Sequence, residues 1–341
     1  MTVPEHVFEE TLNGFFAPVS SLLADDSVSE VLINAYDEIY FESGGQLERA
    51  VHRFASEQEL FAALVNLSQY VGRPLDPQHP VLEARLPDGS RVEAVIPPAA
   101  PRGPTLCIRR FKGCRLTLDR LLELGSVSAD ALVLLQSLVA QRRNVLISGG
   151  SGGGKTSLLN ALISLADPKE RMIVLEDSSE LQLGLPHVVR LEAQPGDAAG
   201  RGAIRIRDLL KAALRMRPDR IIIGEIRGGE ALDLVQAMMS GHRGCLSTIH
   251  GTLPLDALRR LETMASMSDV DIPIPILRAQ IASAVGAIVQ VRRQPSGIRQ
   301  VTQITEVNGL DYAGGYRTAP LFDLAGEVCR CCPRLSSIKT R

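Results

Sequence analysis

The chain has 341 residues, 45% hydrophobic and 22% charged, with a formal net charge of -2. That length suggests two domains of ordinary size or one large one, and the apolar content supplies a packed core and argues against wholesale disorder. Near-neutral charge argues against a polycationic nucleic-acid binder, leaving room only for a local basic lining, and no apolar run reaches the ~18 residues of a membrane span.

The first stretch, Met1 to Leu12, carries Glu5, Glu9 and Glu10 and no basic n-region, so it does not read as a secretory signal. The expectation is a soluble cytoplasmic chain whose membrane contact is at most peripheral. From Val28 to about Phe54 the text reads as strands, with apolar Val31, Ile33, Ile39 and Phe41 and a turn at Ser43-Gly44-Gly45. Ser56 looks like the N-cap of a helix ending near Gly72, with Leu60, Leu64 and Leu67 on one face. Leu82 to Leu86 and Ser90 to Ile96 flank Pro87-Asp88-Gly89, a hairpin signature. Pro97, Pro98, Pro101 and Pro104 then break regular structure, and Thr105 to Phe111 reads as one more strand. Residues 1–112 are therefore expected to form a small α+β domain, and 113–125 a hinge or linker.

Helical patterning resumes through Leu121 and from Ala129 to Arg142. After it, strand-like runs at Val145 to Ile147, Met172 to Leu175, Ile221 to Ile223 and Cys245 to Ile249 alternate with helical segments. Such alternation predicts an α/β domain over 126–325, a mainly parallel sheet with helices on its faces. Ile288 to Val291 and Arg299 to Ile304 read as a hairpin around Pro295-Ser296-Gly297. Cys107, Cys114 and Cys245 read as small buried hydrophobes. Residues 326–341 read as a mobile tail in which Cys329, Cys331 and Cys332 are reduced. Metal binding or lipidation is the other reading there, although a fourth ligand is lacking nearby.

The chemistry begins at Gly149-Gly150-Ser151-Gly152-Gly153-Gly154-Lys155-Thr156, a full G-x-x-x-x-G-K-[ST] match with an apolar strand before it and a helical run from Ser157 after it. Glycines let main-chain N–H groups converge on phosphate oxygens, and the helix N-terminus favours anions. Lys155 is expected to neutralise the β- and γ-phosphates of ATP and Thr156 to hold Mg²⁺. A second strand, Arg220 to Ile223, delivers Gly224 and Glu225 to its C-terminal end, the edge where ligands of open α/β sheets bind. Glu225 is the candidate to polarise the attacking water and to help hold Mg²⁺. The usual acid before it is replaced by Gly224. A third strand ends in Glu176-Asp177, with Glu180 beyond. Two acids there suit a cation, and Glu176 is expected to supply the missing Mg²⁺-side carboxylate. The alternative is a capped helix start, with Asp177 or Ser178 capping and Glu180 closing a box. A fourth strand ends in Ser247-Thr248-Ile249-His250-Gly251-Thr252, where His250 is either structural or a γ-phosphate contact.

Together these motifs resemble the Walker A, Asp box, Walker B and His box of the type II/IV secretion ATPases. The segments Leu214-Arg215-Met216-Arg217-Pro218-Asp219, Glu230-Ala231-Leu232-Asp233, Leu86-Pro87-Asp88-Gly89-Ser90-Arg91-Val92 and Ile108-Arg109-Arg110-Phe111 are similar to the tight-adherence (Tad) pilus, CpaF-like branch. The resemblance covers roughly residues 20–308. It implies a hexameric ring, an N-terminal domain hinged to a RecA-like P-loop NTPase core, and ATP bound between the two. It implies Glu225 as catalytic carboxylate and His250 as γ-phosphate contact. It also implies phosphate-stabilising arginines, for which Arg91, Arg109 and Arg110 stand by position, while Arg215 and Arg227 serve the pocket or the ring interface; the alternative for each is a surface salt bridge. The implied partner is an inner-membrane platform protein, and no nucleic acid is expected. One departure is in the His box, which continues as Gly251-Thr252 where many relatives have Ala-Asn. Separately, no C-x-x-C pair is present, which disfavours the zinc-bearing branch of the family. The alternatives are a conjugative type IV secretion ATPase with the same chemistry, a RecA-like nucleic-acid translocase, and a nucleotide-gated ring without turnover.

Overall fold

The computed structural model describes residues 14–86, 88–110, 116–194, 196 and 201–324. Pro87, Phe111, Cys114, the start of the expected linker (113–115), the N-terminal stretch Met1 to Leu12 and the tail 326–341 with its three cysteines lie outside them. The chain divides into two compact units, Met1–Cys114 and Arg115–Arg341.

The first unit carries β1 (Val28–Ala35), β2 (Glu38–Ser43), β3 (Gln46–Arg49), β4 (Val81–Arg85), β5 (Arg91–Val95) and β6 (Thr105–Arg109). They form one antiparallel sheet in the order β3-β2-β1-β6-β5-β4. Alternation decides its faces. Val31, Ile33, Leu82, Ala84, Val92, Ala94, Leu106 and Ile108 are buried in one core with Leu60, Leu64 and Leu67 of the helix Glu57–Val71. That helix starts where the Ser56 Oγ accepts from the Glu59 N–H at 3.2 Å and stops at Gly72, whose φ of 68° ends it in a left-handed residue.

The second unit holds β7 (Val145–Gly149), β8 (Met172–Glu176), β9 (Val188–Glu192), β10 (Arg220–Ile223), β11 (Leu246–His250), β12 (Ala287–Arg293), β13 (Arg299–Leu310) and β14 (Tyr316–Asp323). The sheet order is β14-β13-β12-β7-β11-β10-β8-β9. From β12 to β9 every pair is parallel, and β13 and β14 add an antiparallel edge. The predicted parallel α/β core is therefore present. Fully apolar strands such as Ile221-Ile222-Ile223 arise because helices cover both faces. Val145, Ile147, Val174 and Ile222 pack on one side, and Leu146, Ile173, Ile221 and Ile223 on the other. β9 and β14 were not foreseen, because both are only partly buried and lack a full apolar run.

Residues 116–125, expected as part of a linker with helical patterning through Leu121, carry the helix Leu118–Glu123. Its Leu118 and Leu121 are buried in the core of the second unit, which ties this segment into that unit. Among the described residues no helix is long and apolar enough to cross a membrane.

Candidate functional site

Parallel strands end along one edge, and the glycine loop, the Glu176-Asp177 acids, Glu225 and His250 lie there. β7 runs into the glycine loop, β8 into Asp177, β10 into Glu225, and β11 ends at His250. β11 lies between β7 and β10, with His250 opposite Gly149 in register, so the histidine sits between the phosphate loop and the second-strand acid.

Main-chain constraints explain the loop's composition. A Cβ on Gly149 would lie 2.6 Å from the Val291 carbonyl oxygen, so only glycine fits against β12. Gly152 and Gly154 have φ of +65° and +92°, open at little cost only to glycine. The helix Lys155–Ile163 begins directly after, with Thr156 second and Ser157 third along it, both half-buried. The Lys155 ammonium is buried and donates to the carbonyls of Gly149 at 3.2 Å and Gly150 at 2.9 Å, while the Gly153 N–H donates to the same Gly150 oxygen at 3.3 Å. One carbonyl oxygen thus collects the two donors that a phosphate oxygen would take. Ser151 is exposed at the lip.

Glu225 is held from both sides. Its Oε1 lies 2.6 Å from His250 Nε2, and its Oε2 accepts from Arg227 Nε at 2.8 Å and Nη2 at 2.6 Å. Arg227 Nη1 is also 3.5 Å from Asp177 Oδ2. Burial lowers the His250 pKa and the Lys155 ammonium adds to the effect, with Glu225 opposing both. Burial thus favours the neutral imidazole. Lys155 and Glu225 both act on His250, so the three motifs share one site.

Register places Glu176 beside Gly224, because β8 and β10 pair Leu175 with Ile223. The acid missing from β10 is present one strand over at the same level. A Cβ at position 224 would come 3.1 Å from Glu176 Cγ, so the glycine makes room for that side chain. The capped-helix alternative for this segment is not what is built. No helix follows, and Glu176 Oε1 itself accepts the N–H groups of Glu180 at 2.8 Å and Leu181 at 2.9 Å. Glu176 is only 3% exposed, and burial pushes its pKa up from an ordinary 4.5 to about 7 despite those two amides.

A stability prediction follows. Below pH 4.5 folded and unfolded chains both hold the proton and this effect is absent. As pH rises from there to about 7 the unfolded chain releases it first, so stability falls, by roughly 3 kcal/mol in all. Glu176→Gln lacks that deficit. Its nucleotide-free melting temperature should exceed that of wild type by several degrees at pH 8 and converge with it near pH 4.5. Parallel midpoints across that range would show the carboxylate is not held as described.

Gly251, the departure in the His box, is also explained. A Cβ there would lie 2.5 Å from Ser148 Oγ, so the polar Ser148 on β7 and glycine at 251 go together. Gln290, only 1% exposed on β12, donates from Nε2 to the Gly251 oxygen at 3.1 Å.

The arginines separate. In the first unit, register lines up Arg85, Arg91 and Arg109 across β4, β5 and β6 on the face away from the core. Three neighbouring like charges are unfavourable by themselves and suit an anion, although Glu83 lies 3.8 Å from Arg91. The sequence reading did not single out Arg85, which faces Arg91 across the predicted hairpin. Arg110 differs. Its Nη1 donates to the carbonyls of Asp25 and Val28, and Nη2 lies 3.8 Å from Asp26, so it clamps the lead-in to β1. Arg215 is exposed just beyond the helix Ile206–Ala213. Cys107 is half-buried on the open face rather than in the core, its thiol pushed up to about 12 by burial and by Glu30.

Sequence reasoning missed Arg299, whose Nε donates to Gly152 O at 2.8 Å. It also missed a cleft of about 210 Å³ beside the loop, lined by Leu121, Leu124, Val127, Gly154, Ser157 and Ile298 among others. Their only sequence signal was the Pro295-Ser296-Gly297 turn. That turn sits at the loop's edge because β12 runs parallel to β7.

The family described as Type II/IV secretion system protein matches residues 14–313. A putative conjugal transfer protein of Mycobacterium tuberculosis is 34% identical over 289 residues, 83% of this chain and 82% of the relative. Conjugal transfer protein TrbB of Rhizobium radiobacter is 31% identical over 293 residues, covering 84% of this chain and 86% of TrbB. Among solved structures, the Legionella pneumophila ATPase DotB superposes with a TM-score of 0.60 at 19% identity, over 88% of this chain and 81% of DotB, a likeness of fold.

Proposed function

The chain belongs to the type II/IV secretion system protein family, and on that premise we propose that it is an ATPase acting as a ring-shaped motor of a secretion or pilus-assembly machine. The observation that supports this best is the convergence at one sheet edge of a self-closed phosphate loop, a buried lysine and a carboxylate held between His250 and Arg227. In this reading the loop amides and Lys155 bind and orient the β- and γ-phosphates, and the neighbouring cleft covers the base. Glu225, its oxygens fixed by His250 and Arg227, accepts a proton from the water that attacks the γ-phosphorus. The bond from that phosphorus to the β–γ bridging oxygen breaks, and ADP and phosphate leave. Arg91 and Arg109 are the arginines assigned to phosphate charge.

Thr156, Glu176 and Glu225 are the residues that would hold Mg²⁺, the acids partly through water. They fit a hard cation: oxygen donors only, with Glu176 in a site whose burial disfavours its charged form until positive charge is near. When bound, the ion supplies positive charge to the phosphate oxygens. We assign Arg215 and Arg227 to the pocket or a subunit interface, the assembly to a hexamer, and the partner to an inner-membrane platform protein contacted from the cytoplasm. The segments Leu214 to Asp219 and Glu230 to Asp233 favour a Tad pilus machine. The names of the M. tuberculosis and R. radiobacter relatives favour the second reading, conjugative type IV secretion. Prepilin genes beside this one would support the first, and mating-channel genes the second.

The test is phosphate release and solution mass, each measured with and without Mg-ATP. Expected are magnesium-dependent release and a shift to about six chains. A chain that binds ATP but neither hydrolyses it nor assembles would overturn the motor reading.

A further inference from the structure

We propose that Arg299 is a positioning residue of the phosphate loop, holding one peptide plane so that its N–H faces the nucleotide. The inference rests on that loop being the nucleotide site. Arg299 opens β13 directly after a tight turn, in which Gln294 N–H donates to Ile298 O at 2.8 Å and Gly297 N–H to Gln294 O at 2.8 Å. Register pairs it with Arg293, and β12 lies beside β7, so the turn emerges next to the loop. Its Nε donates to Gly152 O at 2.8 Å. Its Cδ, Cβ and Cγ lie 3.2, 3.3 and 3.7 Å from where a Gly154 Cβ would stand, so the stem fills that side of the loop.

The Gly152 C=O and the Gly153 N–H belong to one planar trans peptide and point in opposite directions. Arg299 draws the oxygen outward, which turns the N–H inward, where Gly150 O accepts it at 3.3 Å. The plane lies between Gly152, which is left-handed with φ of +65°, and Gly153. Glycines on both sides make such a plane inexpensive to flip. Flipped, it would present a carbonyl oxygen to a phosphate and lose a donor. Arg299 therefore selects the binding orientation in advance, which raises affinity by lowering the ordering cost. The effect falls on binding of ATP and ADP alike, so KM moves and kcat does not follow.

Three substitutions separate this from simple charge attraction. Arg299→Gln places an amide nitrogen at the same bond count as Nε, keeps the stem and removes the charge. Arg299→Met keeps the stem without donor or charge. Arg299→Lys keeps the charge but puts a methylene where Nε was. Full-length proteins are titrated with fluorescent N-methylanthraniloyl-ADP and assayed for Mg-ATP turnover, with melting temperatures measured alongside. The exposed position predicts unchanged folding. Arg299→Met and Arg299→Lys should bind about five- to tenfold more weakly, with KM raised in proportion and kcat within about threefold, and Arg299→Gln should recover most of the loss. Wild-type affinity in Lys with Met-like affinity in Gln would assign Arg299 to charge attraction and overturn the proposal. Equal behaviour of all three variants, whether wild-type or weakened, overturns it too. A wild type that binds no ADP takes down the nucleotide-site reading itself, whereas tight binding by wild type and Arg299→Met alike removes only this inference.

Discussion

Lys155→Met is expected to weaken Mg-ATP binding and to cut kcat/KM by roughly two to three and a half orders of magnitude, the fold equivalent of about 3–5 kcal/mol for a buried charge deprived of its partner. The ammonium is buried at the base of the loop, 2.9 Å from Gly150 O and 3.2 Å from Gly149 O. Those carbonyls are its partners in the closed loop, and a phosphate oxygen offers the same ammonium a charged acceptor, which is stronger. Methionine retains most of the stem beside Gly149, so folding should survive. Two measurements check this: equilibrium binding of labelled nucleotide, and phosphate release under steady state. A variant that binds Mg-ATP within a few-fold of wild type would mean the triphosphate does not sit on this loop, and the assignment of the site would fail with it.

Glu225→Gln is expected to act on the chemical step. Turnover should fall by about 10²–10⁴-fold while nucleotide affinity stays within a few-fold, because the carboxylate takes the proton of the attacking water and touches no bound phosphate directly. The amide fits the same place. Its oxygen can accept from Arg227, and its NH₂ can donate to His250. Burial favours the neutral imidazole, which with its proton on Nδ1 can accept at Nε2. The fold and the ring should therefore persist in a trapped, ATP-bound form, visible as stable retention of unhydrolysed ATP. Unchanged turnover would remove Glu225 from the chemistry and favour a ring gated by nucleotide alone.

Much of this was legible in the chain itself. The helix from Ser56 to Gly72 carried its own start and stop, a hydroxyl cap and a left-handed glycine. The alternating apolar runs announced the parallel strands, because strands covered by helices on both faces need no polar residue. The glycine loop could be read because its chemistry is contiguous along the chain. The acid at Glu176 was inferred from what Gly224 lacked, and the register of β8 with β10 puts the two side by side. Less visible were β9 and β14, whose partial burial leaves no period to detect. The arginines were read only by position. Register adds Arg85 to the row and gives Arg110 a different task, a clamp on the carbonyls of Asp25 and Val28.

Local order along the chain determined which residues could meet a phosphate: a loop of glycines before a helix, and acids at the ends of apolar strands. Those are properties of neighbours in sequence, and dihedral freedom and strand direction suffice to state them. What surrounds them was decided only by tertiary structure. The pairing of His250 with Glu225, the seat of Arg299 on Gly152 and the contact of Ser148 with Gly251 join residues between 25 and 147 positions apart. Such contacts depend on strand order and register, and these are set by how the whole apolar surface is buried, a sum over many side chains that no single motif records.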